Sequence, residues 1–168
     1  MPSAAPCRLP DAALLKAYQR DGGYVDCYST EVAAAMSFER FVEAFYTTWV
    51  FKVERAILSW AMSLPSTDED AKRLASGDGD KFAAWHVEAR GANQLLLCAV
   101  DRRTRSWLMV EPAAGGTRLY FGSAVVPVRN RQTGTTGMGT AYRALLGFHR
   151  LYSKILLNAA RTKSAPDW

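Results

Sequence analysis

Between residues 81 and 128 the chain repeats one theme: a short run with strand character, then a link too short to be anything but a turn. The runs are 81–90, 94–101, 106–111 and 117–128. The links are Gly91-Ala92-Asn93, Arg102-Arg103-Thr104-Arg105 and Pro112-Ala113-Ala114-Gly115-Gly116. A parallel neighbour needs a crossover of about a dozen residues, so links this short force hairpins and an antiparallel meander. Side chains along a strand alternate between faces. Trp85 and Val87 therefore share a face. So do Trp107 and Met109, and so do Leu119, Phe121 and Val125. Pro127 cannot donate to a ladder, so the last run ends there or lies at an edge.

The flanking segments supply what can cover such a sheet. Residues 139–161 carry helical periodicity. Met138, Tyr142, Leu145, His149, Tyr152, Leu156 and Ala159 fall on one face; Arg143, Arg150, Lys154 and Arg161 fall nearly opposite. A helix of this length spans about 35 Å, and a strand of eight to ten residues about 26–33 Å. The lengths match. The expected fold is therefore α+β, a curved antiparallel sheet wrapped around a long C-terminal helix.

Upstream, residues 1–10 hold three prolines and read as a loose lead-in. Asp11 caps a short helix over 12–20, with Leu14, Leu15 and Tyr18 on one side. Residues 24–30 read as a first strand, with Tyr24, Asp26 and Tyr28 on one face. Ser37 begins a long helix to about residue 62, whose stripe is Phe38, Val42, Phe45, Trp49, Val53, Ala56 and Trp60. Its middle, FYTTWVF, is poor in helix formers and predicts a kink or break near Thr47-Thr48. Ser66 and Glu69 have capping-box spacing ahead of a helix over 67–75, and Gly77-Asp78-Gly79-Asp80 turns the chain.

At 168 residues one domain is expected, with 1–20 as lead-in and short helix and 24–161 as the core. No apolar run approaches the roughly 18 residues of a membrane span, and residues 1–10 lack the apolar centre of a secretory signal. A cytoplasmic location is the expectation. Cys7, Cys27 and Cys98 are odd in number and show no metal-ligand spacing with each other or with His86 and His149. They read as small reduced apolar side chains. The net charge is +5, and residues 112–168 hold eight Lys or Arg against one acid, Asp167. No basic cluster interleaves with aromatics, which argues against a nucleic-acid platform. Residues 134–140 imitate a phosphate loop but lack its lysine and its parallel strand, so a flexible hinge or lid is the expectation there, with an anion held by backbone amides at the helix start as the alternative.

The order of elements resembles the START-like or helix-grip superfamily, which includes Bet v 1-like and polyketide-cyclase-like proteins. More narrowly, the chain resembles an uncharacterised bacterial family of that type. The likeness is carried by Tyr24-Val25-Asp26-Cys27-Tyr28 and by Gly139-Thr140-Ala141-Tyr142, Phe148-His149 and Tyr152. The resemblance implies an apolar cavity between sheet and long helix; the sequence shows no zinc set and no dinucleotide fingerprint, so no cofactor is expected. The resemblance transfers no catalytic residue.

Three functions are compatible with these residues. The first is a binding protein for a small apolar or amphipathic molecule, with Trp85, Trp107, Phe121, Tyr142, His149 and Tyr152 as candidate contacts. The second is a cyclase- or dehydratase-like enzyme with His149 as general acid/base, oriented by Asp26, Glu88 or Glu111. The third is an interaction module using the basic helix face.

Overall fold

The structure is a computed structural model that describes residues 3–20, 24–62, 65–129, 136–137 and 140–164. Side chains are described throughout these residues except at 54, 57–62, 128–129, 136–137, 140–149 and 164. Seven antiparallel strands form one curved, unclosed sheet. In chain order they are β1 (Ala5–Pro6), β2 (Tyr24–Val32), β3 (Lys81–Phe82), β4 (Trp85–Gly91), β5 (Gln94–Ala99), β6 (Thr104–Ala113) and β7 (Gly116–Val125). Their spatial order is β1-β2-β7-β6-β5-β4-β3, so the meander runs from β3 to β7 and β2 closes onto its last strand. A separate small pair joins β8 (Val128–Arg129) to β9 (Thr136–Gly137). The expected run 81–90 is two strands folded on each other, because Ala83 takes a left-handed φ of 51° and reverses the chain.

One sheet face is covered by helices: α2 (Phe38–Tyr46), α3 (Trp49–Met62), α4 (Asp68–Ser76) and α5 (Thr140–Ser164). We call it the inner face. Tyr28 and Val32 of β2, Leu95 and Leu97 of β5, Leu108 and Val110 of β6 and Leu119 and Phe121 of β7 form its floor. Among the described side chains of α5 the buried ones are Ser153, Leu156, Leu157 and Ala160, with Tyr152 and Ala159 half-buried beside them, so the buried side is turned by about one residue from the expected face through Tyr152, Leu156 and Ala159. α5 lies against β2 and β7, whereas β6 is met by α2. The centre of the concavity is thus filled from α2 and its neighbours. Phe45 stands 4.9 Å from Phe121, Tyr46 4.9 Å from Phe51, and Tyr46 5.1 Å from Phe82, centroid to centroid.

The break at Thr47-Thr48 is present and has a side-chain cause. Thr47 Oγ1 donates to the Glu43 carbonyl at 2.7 Å, and Thr48 Oγ1 accepts from the Phe51 N–H at 3.2 Å, capping α3. The break changes which side chains of α3 point inward. Phe38, Val42 and Phe45 are buried as expected, but Trp49 and Val53 are exposed, and Val50 and Phe51 take the inward positions. The expected single stripe is therefore corrected at Trp49, Val53 and Ala56, all exposed; the side chain of Trp60 lies outside the described residues, and the helix is two helices with different faces. The cap of α4 also moves by one residue. Thr67 accepts from the Asp70 N–H and Asp70 accepts from the Thr67 N–H. Ser66 is engaged elsewhere, accepting from Arg55 Nε at 3.0 Å.

The outer face is covered by the N-terminal segment, which is not a loose lead-in. β1 pairs with β2, and Leu14, Leu15 and Tyr18 pack on Leu96, Trp107, Met109, Tyr120 and Ala124. The expected helix 12–20 shrinks to α1 (Lys16–Arg20), with turns before it. Gln94 anchors the segment. Its Oε1 accepts from the Leu14 N–H at 2.9 Å and from Trp107 Nε1 at 3.0 Å, and its Nε2 donates to the Ala12 carbonyl at 3.0 Å. Gly122 makes room for it: a Cβ there would stand 2.8 Å from Leu15 Cδ2 and 3.1 Å from Trp107 Cε3.

Candidate functional site

The inner face is mostly apolar; besides the buried Thr30 and Thr117, its polar groups among the described residues include one transverse row. Strand pairing aligns Asp26 of β2 with Ser123 of β7, and Ser123 with Ser106 of β6. Ser123 and Ser106 are buried. Asp26 Oδ1 accepts from the Ser123 N–H at 3.1 Å and from the Ser123 hydroxyl at 2.6 Å. Its Oδ2 accepts from the Tyr24 hydroxyl at 3.3 Å. Arg150 Nε of α5 donates to the same Tyr24 oxygen, also at 3.3 Å. Beyond Ser106, the Tyr46 hydroxyl lies 3.5 Å from Ser106 Oγ. A guanidinium, a phenol, a carboxylate and two serines thus stand in sequence across the helix-covered face, under α5 at β2 and β7 and under α2 at β6.

The row grades from an exposed guanidinium through a half-buried phenol and carboxylate to two buried serines. Burial pushes the Tyr24 phenol above its ordinary value. Burial, then the charge of Asp26, pushes the Tyr28 phenol up to about 12. Both phenols therefore stay protonated near neutral pH. Trp85 stands one position beyond the row, paired with Ala99. Its Nε1 is buried and has no hydrogen-bond acceptor among the described residues. A buried donor left unpaired is costly, so its environment matters.

The expected contacts are divided by the sheet. Trp85, Phe121 and Tyr152 belong to the inner face. Trp107 does not: it is fully buried on the outer face beneath the N-terminal segment. The alternation in β6 that pairs it with Met109 is as expected, but that face is the one away from α5. The side chains of Tyr142 and His149 lie outside the described residues, as does most of the glycine-rich segment 134–140. Arg150 is exposed yet reaches inward to Tyr24 instead of pointing only to solvent.

The three acids offered as partners for His149 also separate. Glu88 is the extra residue of a bulge between Val87 and Ala89, and it faces outward. It accepts from the Tyr18 hydroxyl and, at 2.7 Å, from Arg105 Nε. Glu111 accepts from the Tyr120 hydroxyl at 2.7 Å, again on the outer face. Asp26 alone of the three stands on the helix-covered face. Sequence reasoning marked Asp26 for its place between two tyrosines, and missed Ser123 and Ser106. The signal for Ser123 was present: alternation sets it among Leu119, Phe121 and Val125. Tyr46 and Arg150 had no such signal.

Compared with known proteins, the chain matches no family model, no curated protein and no solved structure. Among the described residues, no helix is long and apolar enough to cross a membrane.

Proposed function

We propose that the protein binds a small amphipathic molecule between β2, β7 and α5, with a hydroxyl or amine of the ligand at Asp26. The same reading places the chain with the START-like, helix-grip proteins. The observation that carries it is the polar row itself. A half-buried carboxylate and two buried hydroxyls in a mostly apolar layer are costly unless they are matched, and a core needs none of them. A carboxylate accepts hydrogen bonds, so the ligand group it selects is a donor. Tyr28, Phe121 and Tyr152 offer the apolar wall beside it.

Calorimetric titration with alcohols, amines and carboxylates bearing chains of about ten carbons tests this. Saturable binding of an alcohol or amine is expected, with Asp26→Asn weakening it about tenfold, a loss of about 1.4 kcal/mol. Absence of saturable binding across the panel, or affinity indifferent to both Asp26→Asn and Ser123→Ala, would count against the reading. The enzymatic alternative gains one specific support, that Asp26 shares the helix-covered face. It predicts that His149→Ala abolishes turnover while leaving binding of the same amphiphile measurable.

A further inference from the structure

The outer face holds a pair of thiols that the sequence keeps apart. Cys7 follows β1 and Cys27 lies within β2. Their sulfurs are 3.1 Å apart, and the Cys7 N–H donates to the Cys27 carbonyl at 3.0 Å. Continuing the β1–β2 register, in which Pro6 faces Tyr28, sets Cys7 directly opposite Cys27. Directly opposed, hydrogen-bonded residues in an antiparallel pair have Cα atoms about 5.5 Å apart. A disulfide accepts Cα separations of about 4.4–6.8 Å and an S–S bond of about 2.05 Å. Closing the bond therefore needs a sulfur movement of about an ångström, within reach of side-chain rotation alone.

We propose that Cys7 and Cys27 form an oxidative modification site, closing to a disulfide when the chain meets a low-molecular-weight disulfide. Cys7 is the attacking sulfur. It is half-buried and lines an open groove of about 650 Å³ together with Arg8, Lys16, Cys27 and Glu111, so a small oxidant reaches it. The hydrogen bond from Cys27 lowers the Cys7 thiol to about 7, with Ser29 and Arg118 adding to the effect. The Cys27 thiol is buried and pushed up by the hydrogen bond it gives Cys7 and by desolvation. The two sulfurs thus divide the work as attacking and resolving thiols.

The chemistry balances. The Cys7 thiolate attacks one sulfur of the small disulfide, forming a mixed disulfide and releasing one small thiolate. Cys27 then gives up its proton, its sulfur attacks the Cys7 sulfur, and the second small thiolate leaves and is protonated. Two protein thiols are oxidised to one disulfide, and one small disulfide is reduced to two thiols. Cys98 takes no part. It lies in β5, three strands from β2, or about 14 Å at the usual interstrand spacing.

Position gives the bond its effect. The disulfide fastens the N-terminal segment, which carries Leu14 and Leu15, to the strand whose other face carries Asp26. Residues 8–26 become a closed loop, and the outer cover of the sheet can no longer lift.

The test uses the whole chain equilibrated with oxidised glutathione, then alkylated, digested and mapped by mass spectrometry. The expected result is a Cys7–Cys27 cross-link with the loss of two hydrogens, Cys98 fully alkylated, and a higher Tm for the oxidised form. Before oxidation, Cys7 is alkylated about tenfold faster than Cys98, as its greater thiolate fraction requires. Cys27→Ser should halt at glutathione on Cys7, while Cys98→Ser should oxidise like the native chain. Wild-type protein that stops at the mixed disulfide, or cross-links through Cys98, or keeps three free thiols under these conditions overturns the proposal.

Discussion

At the scale of single residues, Asp26 and Gly122 show how much one position on β2 or β7 decides. Asp26 O and the Leu15 methyl both stand 2.8 Å from where a Cβ on Gly122 would lie. One is backbone and cannot yield cheaply; the other belongs to a fully buried leucine. Gly122→Ala is therefore expected to cost about 1–3 kcal/mol through overpacking. Urea unfolding should show the lower midpoint, and limited proteolysis should cut sooner within residues 3–20. An unchanged midpoint would mean that Leu15 has another seat. The sequence made Asp26 conspicuous, since an acid between two tyrosines breaks the alternation of a half-buried strand. It could not reveal Gly122 as a seat, because the leucine that needs it is more than a hundred residues away in the chain.

Among elements, the corner between α3, α4 and β3 is held by one arginine. Arg55 Nη1 donates to Asp68 Oδ1 at 2.6 Å and Nη2 to the Ser66 carbonyl at 2.5 Å, and its guanidinium lies 5.6 Å from the Phe82 ring centre. Lys52 joins Asp68 from the same helix at 2.7 Å. Hydrogen bonds from Lys52 and then Arg55 hold the Asp68 carboxyl below its ordinary 3.8. A depressed folded-state value stabilises the protein above 3.8, and the gain disappears as pH falls through the folded value. Asp68 is about half exposed, so screening limits the gain. Asp68→Asn should cost about 0.5–1 kcal/mol at pH 7. The gap to the native chain should close below pH 3.8, as read from thermal midpoints across pH. A gap that stays constant with pH would assign the effect to packing. The existence of α4 was legible from its cap chemistry and its glycine stop. Its exact cap was not, because the choice between Ser66 and Thr67 rests on Arg55 taking Ser66.

For the whole molecule, the unexpected feature is a sheet buried on both sides, by helices on one face and by an N-terminal segment with little regular structure on the other. Deleting residues 1–18 should uncover Leu96, Trp107, Met109 and Tyr120, an apolar face that a monomer rarely exposes. Light scattering after size exclusion should report self-association, and a hydrophobic dye should bind where it does not bind the full chain. A stable monomer with the native Tm would show the cover to be dispensable. The antiparallel meander, the division near Thr47 and the existence of the last helix came from the chain alone, though not which side of that helix is buried. Each depends on local periodicity or on links too short to permit another connection. Tertiary structure alone decided that Trp107 turns away from α5 and that Glu88 leaves the inner face through a bulge. It also decided that Asp26, Ser123 and Ser106 meet in one row, and that Cys7 touches Cys27. Alternation assigns side chains to two faces but does not say what covers either. That depends on which distant segments pair and pack, and the energy deciding it is spread over contacts between residues far apart in sequence.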